Sequence, residues 1–572
     1  MAASYFISYK LIVFDILLLY ILPGGVGFPD HVTCNYVAPS VDEVIDKVYI
    51  EPDHVIRKRS IGQRLRIKLY YDKSVDRLPV FKQDVVKGYL LPHATHYWQQ
   101  TLSVRETAAA IRLNRACAGT THIYKGRERF CMDECANVTR CGEVVVPREH
   151  LRECNTCTRG TNSCRTLVAA PGEPPARGVA DADYILYVSA VHNHRCDIGT
   201  TVAFSAHCQL EAALDRPIAG HVNLCPEAVS AKPQEMEVLL STVKHEILHA
   251  LGFSIGLFAF FRNDDGIIII VIISILIIIS VRRLGWKVRG REITRTVQLV
   301  VTPRVRAEAR RHFNCSTLEG AELEDQGVEG TKLTHWEKRV FENDAMTGTH
   351  TQNPIFSRIT LALMEDTGWY RVDYSMAQPL AWGRNLGCDF VKRSCKEWMD
   401  TRPGNIHPFC NKIKEDPLET DCTRDREAVA ICNIVEYQSE LKTEYQVRAV
   451  IPGMPGIPGT SCDHYYPSLR CRFTCDAARG LIVHIQEQSY RCHRAGQRIY
   501  VRQLFNDWLH EGSIICPPCD EVCQRVGVPC PAETDAPAAR TDMRRLHCGA
   551  PALARVAAAT VLVAVATALL AS

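Results

Sequence analysis

The sequence has no basic stripe interleaved with aromatics, and its 67 Lys and Arg stand against 64 Asp and Glu, a formal net charge of +3. Nucleic acid is therefore not an implied partner. Nor is there an apolar run of the roughly 20 residues a spanning helix needs with the basic flank that usually accompanies one. The tract from Pro452 to Gly459 is too short for a collagen helix and reads as a linker or exposed loop. Cysteine is what the chain has in quantity, 26 from Cys34 to Cys548. That suits an oxidising compartment and a disulfide framework. Seven fall between Cys117 and Cys164, marking a stapled, loop-rich segment. At 572 residues the expectation is two to four domains.

Both ends read as secretory. Leu11 to Leu22 is apolar apart from Asp15, follows Lys10 and precedes Pro23-Gly24-Gly25-Val26-Gly27, so residues 1–27 are expected to be a signal peptide. Residues 28–60 read as a propeptide ending in the basic run Arg57-Lys58-Arg59. At the other end Val556 to Ala571 is an apolar tail followed only by Ser572, and 546–572 reads as a signal for a lipid (GPI) anchor. Asn137-Val138-Thr139 is a glycosylation sequon; Asn314-Cys315-Ser316 is weaker, because its cysteine is expected to pair.

The chemistry is concentrated in His245-Glu246-Ile247-Leu248-His249-Ala250-Leu251-Gly252. On a helix, histidines four apart project from one face and can hold one Zn²⁺. Glu246 is then placed to act on a water at the metal rather than to bind it. Gly252 is expected to let the backbone turn away toward a third ligand. The competing reading is an ordinary amphipathic helix with two incidental histidines.

No histidine follows that glycine closely, so the third ligand must come from further along, where His312, His335 and His350 stand. His335 is followed eleven positions later by Met346, which resembles a third ligand plus the Met-turn beneath the metal. Around these residues run Ala206 to His221, His312 to Thr331 and His335 to Tyr370, and with them the chain is similar to the leishmanolysin family, including its animal members. The resemblance implies an α+β metzincin zinc-protease module with a cysteine-rich, disulfide-stapled C-terminal domain. It also implies His245, His249 and His335 as zinc ligands, Glu246 as general base and Met346 as the Met-turn residue. The expected domains are a catalytic subdomain over 61–253, an insertion with the third ligand over 254–380 and the C-terminal domain over 381–545.

A propeptide thiolate can fill the fourth zinc position, which makes Cys34 a candidate latency thiol; an ordinary disulfide partner is the equal alternative. The implied partners are protein or peptide substrates and, through the tail, a membrane. The implied setting is the cell surface or outside the cell, in adhesion or migration. The rival class is an inactive adhesion protein on the same scaffold, against which the complete ligand set and Glu246 stand.

One stretch departs from the family. Ile267 to Val281 has only Ser274 and Ser280 interrupting it where relatives carry a polar loop. A buried β-strand pair or an aggregation-prone surface strand is one reading; the other is foreign sequence, such as translated intron, expected to project as an uncharged, β-prone segment. The pairs Cys154/Cys157 and Cys516/Cys519 lack a redox or zinc-ribbon context and read as disulfide framework. His192 and His194 are expected to be surface residues.

Overall fold

The computed structural model describes residues 34–534 apart from 35, 41–42, 53–61, 106–107, 160–162, 168–174, 197–200, 233–234, 264–265, 267–276, 289–290, 326–330, 350–353, 410–419, 423–427, 433–464, 486–487, 506–507 and 524–526. The signal peptide, tribasic run, proline–glycine tract, apolar tail, His350 and most of the isoleucine run lie outside the described residues. Among those described, no helix is long and apolar enough to cross a membrane. The chain divides into two compact units, residues 1–470 and 471–572.

The first unit carries a five-stranded sheet of β1 Ile45–Val48, β2 Ile67–Tyr71, β3 Tyr184–Ser189, β4 Ala203–Glu211 and β5 Pro217–Leu224, in spatial order β1–β4–β5–β3–β2. β2, β3 and β5 run parallel, β4 is antiparallel to β5, and β1 lies parallel along the outer side of β4. The continuous apolar run of β3 has a direct cause. Tyr184, Leu186 and Val188 enter the main core on one face, while Ile185 and Tyr187 enter a second cluster with Ile111 and Ile218 on the other. A strand buried on both faces has no polar side to alternate with.

Two helices, α1 Leu91–Thr101 and α2 Met236–Leu251, pack on the main-core face. From α2, Leu239, Val243, Ile247, Leu248 and Leu251 are buried there, each contributing roughly 1.5–3 kcal/mol. Strands followed by this helix make the mixed α+β class that the sequence predicts. Ala108–Ile111 is a strand paired with Val179–Ala180 and Glu51–Pro52. Tertiary pairing overrides the helical preference of its alanines.

The isoleucine run requires a correction at its C-terminal end. Ile278–Val288 forms β6, paired antiparallel with β7 Arg291–Val300, which continues to β8 Ala321–Glu322. Ile277 is 5% exposed in the main core, and Ile279 and Val281 pack against Val297, Leu299 and Val301. These residues do not project, because β7 brings an apolar face to receive them.

Cysteine pairing bears out the disulfide framework. Cys117–Cys131, Cys135–Cys154 and Cys157–Cys164 staple the dense segment, and Cys141–Cys208 ties it to β4. Both CxxC pairs split between different partners. In the second unit, Tyr465–Asp476 pairs from Cys471 onward with Gly480–Ile485, and that strand pairs with Gln488–Arg491. Its described buried apolar side chains include Leu481, Ile482, Val483, Ile499 and Val522. Cys475–Cys523, Cys492–Cys516 and Cys519–Cys530 staple this unit.

Candidate active site

The C-terminal half of α2 is held by its neighbours' polar groups. Ser205 donates to the Glu246 carbonyl at 2.5 Å, the Trp98 indole to that of Lys244 at 3.0 Å, Tyr184 to Ala250 at 3.2 Å and Tyr370 to Leu251 at 3.0 Å. The last two satisfy carbonyls that a helix end leaves without partners. Gly252 follows with φ 168°, extended backbone that any residue adopts. Its requirement is close approach: a Cβ there would lie 3.1 Å from Met364 Cε. The helix ends at this residue and the chain turns away there, as the sequence leads one to expect.

His245 and His249 project from α2 to meet His335, 86 residues beyond His249. The three Nε2 atoms form a triangle with sides of 3.0, 3.2 and 3.3 Å. Each Nδ1 faces a backbone carbonyl: His245 that of Ala345 at 2.5 Å, His249 that of Phe253 at 2.7 Å and His335 that of Thr331 at 3.0 Å. A carbonyl only accepts, so each Nδ1 carries the proton and each Nε2 presents a bare lone pair. Burial first, then the neighbouring imidazoles, holds His249 well below its usual pKa; burial takes His245 down to about 4, and burial with His245 nearby takes His335 to about 3. Three converging lone pairs without protons call for an electron-pair acceptor. Nitrogen ligands on one tetrahedral zinc stand roughly 3.3 Å apart, which fits this triangle.

Glu246 is 1% exposed, and burial pushes its carboxyl up to about 8, against the hydrogen bond from Cys34 that lowers it. Its Oε2 is buried with no hydrogen-bond partner among the described residues. A buried carboxyl with one oxygen unpartnered beside the three imidazoles is placed to take up and return a proton. Met346 is fully buried; its carbonyl accepts from the Trp336 N–H at 2.9 Å, linking this turn to the residue after His335.

The half-buried Cys34 is the one free cysteine among the described residues. Its Sγ lies 3.4 Å from Glu246 Oε1 and 3.7 Å from His249 Nε2, and its sulfur and the three imidazoles could share one metal ion. The disulfide alternative for Cys34 therefore falls away. Asn137 is exposed, while the Thr139 hydroxyl of its sequon accepts from the Ala116 N–H at 2.9 Å. His192 pairs with Glu227 at 3.2 Å, both half exposed, as a surface residue would. His312 turns its Nε2 to the Trp382 carbonyl at 2.8 Å.

The peptidase M8 family model, described as leishmanolysin, matches residues 143–451, which spans all three histidines. The chain belongs to the leishmanolysin family. It is 43% identical to the leishmanolysin-like peptidase of Drosophila melanogaster over 90% of this chain and 91% of that one. It is 36% identical to the leishmanolysin-like peptidase of Caenorhabditis elegans (88% and 91% covered) and 24% to leishmanolysin of Leishmania tropica (85% and 70%). Membership makes it a metallopeptidase of a zinc-dependent family, with peptide or protein substrates.

Sequence reading missed several residues that shape this site. Asp344, Ala345 and Thr331 act through backbone or buried polar contacts that no motif records. Tyr36 had one available signal, its position two residues after Cys34.

Proposed function

We propose that this chain is a zinc endopeptidase, synthesised as a latent proenzyme, that cuts proteins at the cell surface or outside the cell. The observation that carries the reading is the unprotonated Nε2 triangle of His245, His249 and His335 beside the buried Glu246 carboxyl. When bound, zinc supplies Lewis acidity, polarising the scissile carbonyl and making water more acidic. Glu246 takes the proton from the attacking water and returns it to the leaving amine. The carbonyls of Ala345, Phe253 and Thr331 keep each imidazole in one tautomer and orientation. The Met346 carbonyl accepts from the Trp336 N–H, which ties this turn to the residue after His335.

Latency is assigned to Cys34 in the 28–60 propeptide. A thiolate and an imidazole sharing a tetrahedral zinc stand roughly 3.5 Å apart, and Cys34 Sγ is 3.7 Å from His249 Nε2. The same sulfur covers Glu246. The apolar segments near the two ends, the exposed Asn137 and the disulfides support a glycosylated, lipid-anchored surface protein.

Glu246→Ala tests the mechanism. The carboxylate is not a ligand, so zinc measured by atomic absorption should remain near one per chain while cleavage of a peptide mixture falls by about 10²–10⁴ or more. Undiminished cleavage would overturn the assignment.

A further inference from the structure

Tyr36, two residues beyond Cys34, has no solvent exposure. Its ring lies parallel to the His249 imidazole, with centroids 4.1 Å apart and planes inclined by 13°. Its hydroxyl donates to Ser254 Oγ at 2.6 Å, and Ser254 is itself fully buried. His249 is committed in its own plane at both nitrogens, to the Phe253 carbonyl and to the triangle, so the ring face is what remains for a partner. Thiol and phenol therefore grip one imidazole, the first at its edge and the second on its face.

The backbone around them is held as well. The Cys34 N–H donates to the Gly348 carbonyl at 3.0 Å, and the Thr331 hydroxyl donates to the Cys34 carbonyl at 3.3 Å. Further on, β1 lies along β4, with Ile45 opposite Gln209 and Val48 opposite Glu211. An edge covered in this way is closed to another extended peptide.

We propose that Tyr36 is a second lock on the cleft, seated in a phenol-binding slot between the His249 ring face and the Ser254 hydroxyl, and that it keeps the proenzyme shut without the thiol. This rests on the reading of the three histidines as a peptidase centre and adds a means of control to it. A reagent that captures the Cys34 sulfur removes one contact and leaves the stack, the buried hydroxyl bond and the β1 pairing in place. Activation then requires loss of the whole segment.

The test uses the full-length chain as wild type, Cys34→Ala, Tyr36→Ala and the double variant, each assayed on a peptide mixture before and after proteolytic removal of the propeptide. Uncleaved Cys34→Ala should stay latent. Adding Tyr36→Ala to it should raise uncleaved activity roughly thirtyfold, the weight of a ring stack plus a buried hydroxyl bond. Tyr36→Phe, which keeps the stack, should give only about fivefold. Full activity in uncleaved Cys34→Ala, or continued latency in the double variant, would overturn the proposal. Removal of the propeptide yields the same mature enzyme from every variant, so equal activity after cleavage certifies folding. An inactive mature wild type would refute the peptidase reading instead of the lock.

Discussion

Asp344 offers the most demanding test of how the site is held. It is 1% exposed and accepts from the Met346 N–H at 2.9 Å, while the Thr360 hydroxyl lies 2.8 Å from both carboxylate oxygens. Thr360 Oγ1 in turn accepts from the Trp336 indole N–H at 2.9 Å. The turn that Asp344 braces presents the Ala345 carbonyl to His245, and Trp336 adjoins His335. One carboxylate thus steadies the acceptor of one ligand histidine and the neighbour of another. Asp344→Ala leaves the Met346 N–H and the Thr360 hydroxyl buried without their acceptor. At about 1–3 kcal/mol for each such group, the loss of stability should be roughly 2–6 kcal/mol. Loosening partners behind metal ligands lowers metal affinity by about 10–100-fold. Urea unfolding of the chelator-treated protein should register the first effect, and zinc competition against a chelator the second. Asp344→Asn, which retains one oxygen acceptor, should fall between variant and wild type in both. An Asp344→Ala protein that holds zinc as tightly as wild type would refute the bracing argument.

Three further outcomes are expected. His335→Ala should lose most of its zinc by atomic absorption whereas His312→Ala, whose imidazole meets the Trp382 carbonyl, should keep it; equal loss from both would move the third ligand. Replacing Cys141 and Cys208 together by serine opens a bridge of sequence separation 67, and chain entropy puts the cost at about 4 kcal/mol; an unchanged Tm would show the link to be dispensable. If the tail directs a lipid anchor, phosphatidylinositol-specific phospholipase C should release the protein from cells, and recovery of the mature chain with Val556–Ala571 still attached would contradict that.

The helix that carries His245 and His249 was legible in the sequence because its information is local. Four residues of helix bring His245 and His249 to one face whatever lies around them. His335 was harder, since nothing in the 86-residue interval specifies it; its companion Met346 and the family resemblance selected it. Cys34 could be suspected as a thiol but its place beside the three histidines could not be deduced, because its contact with Glu246 spans 212 residues.

What the sequence carried by itself, then, was the candidate chemistry: which residue types could bind a metal and which carboxyl could move a proton beside them. The tertiary structure alone decided the partners. It turned Tyr36 onto His249, set Asp344 beneath the turn that serves His245, paired Ala108–Ile111 as a strand and gave Ile277 a core to enter. The physical reason is that periodicity records that a face is buried without recording what it is buried against, and that second surface is supplied by chain arriving from elsewhere in the sequence.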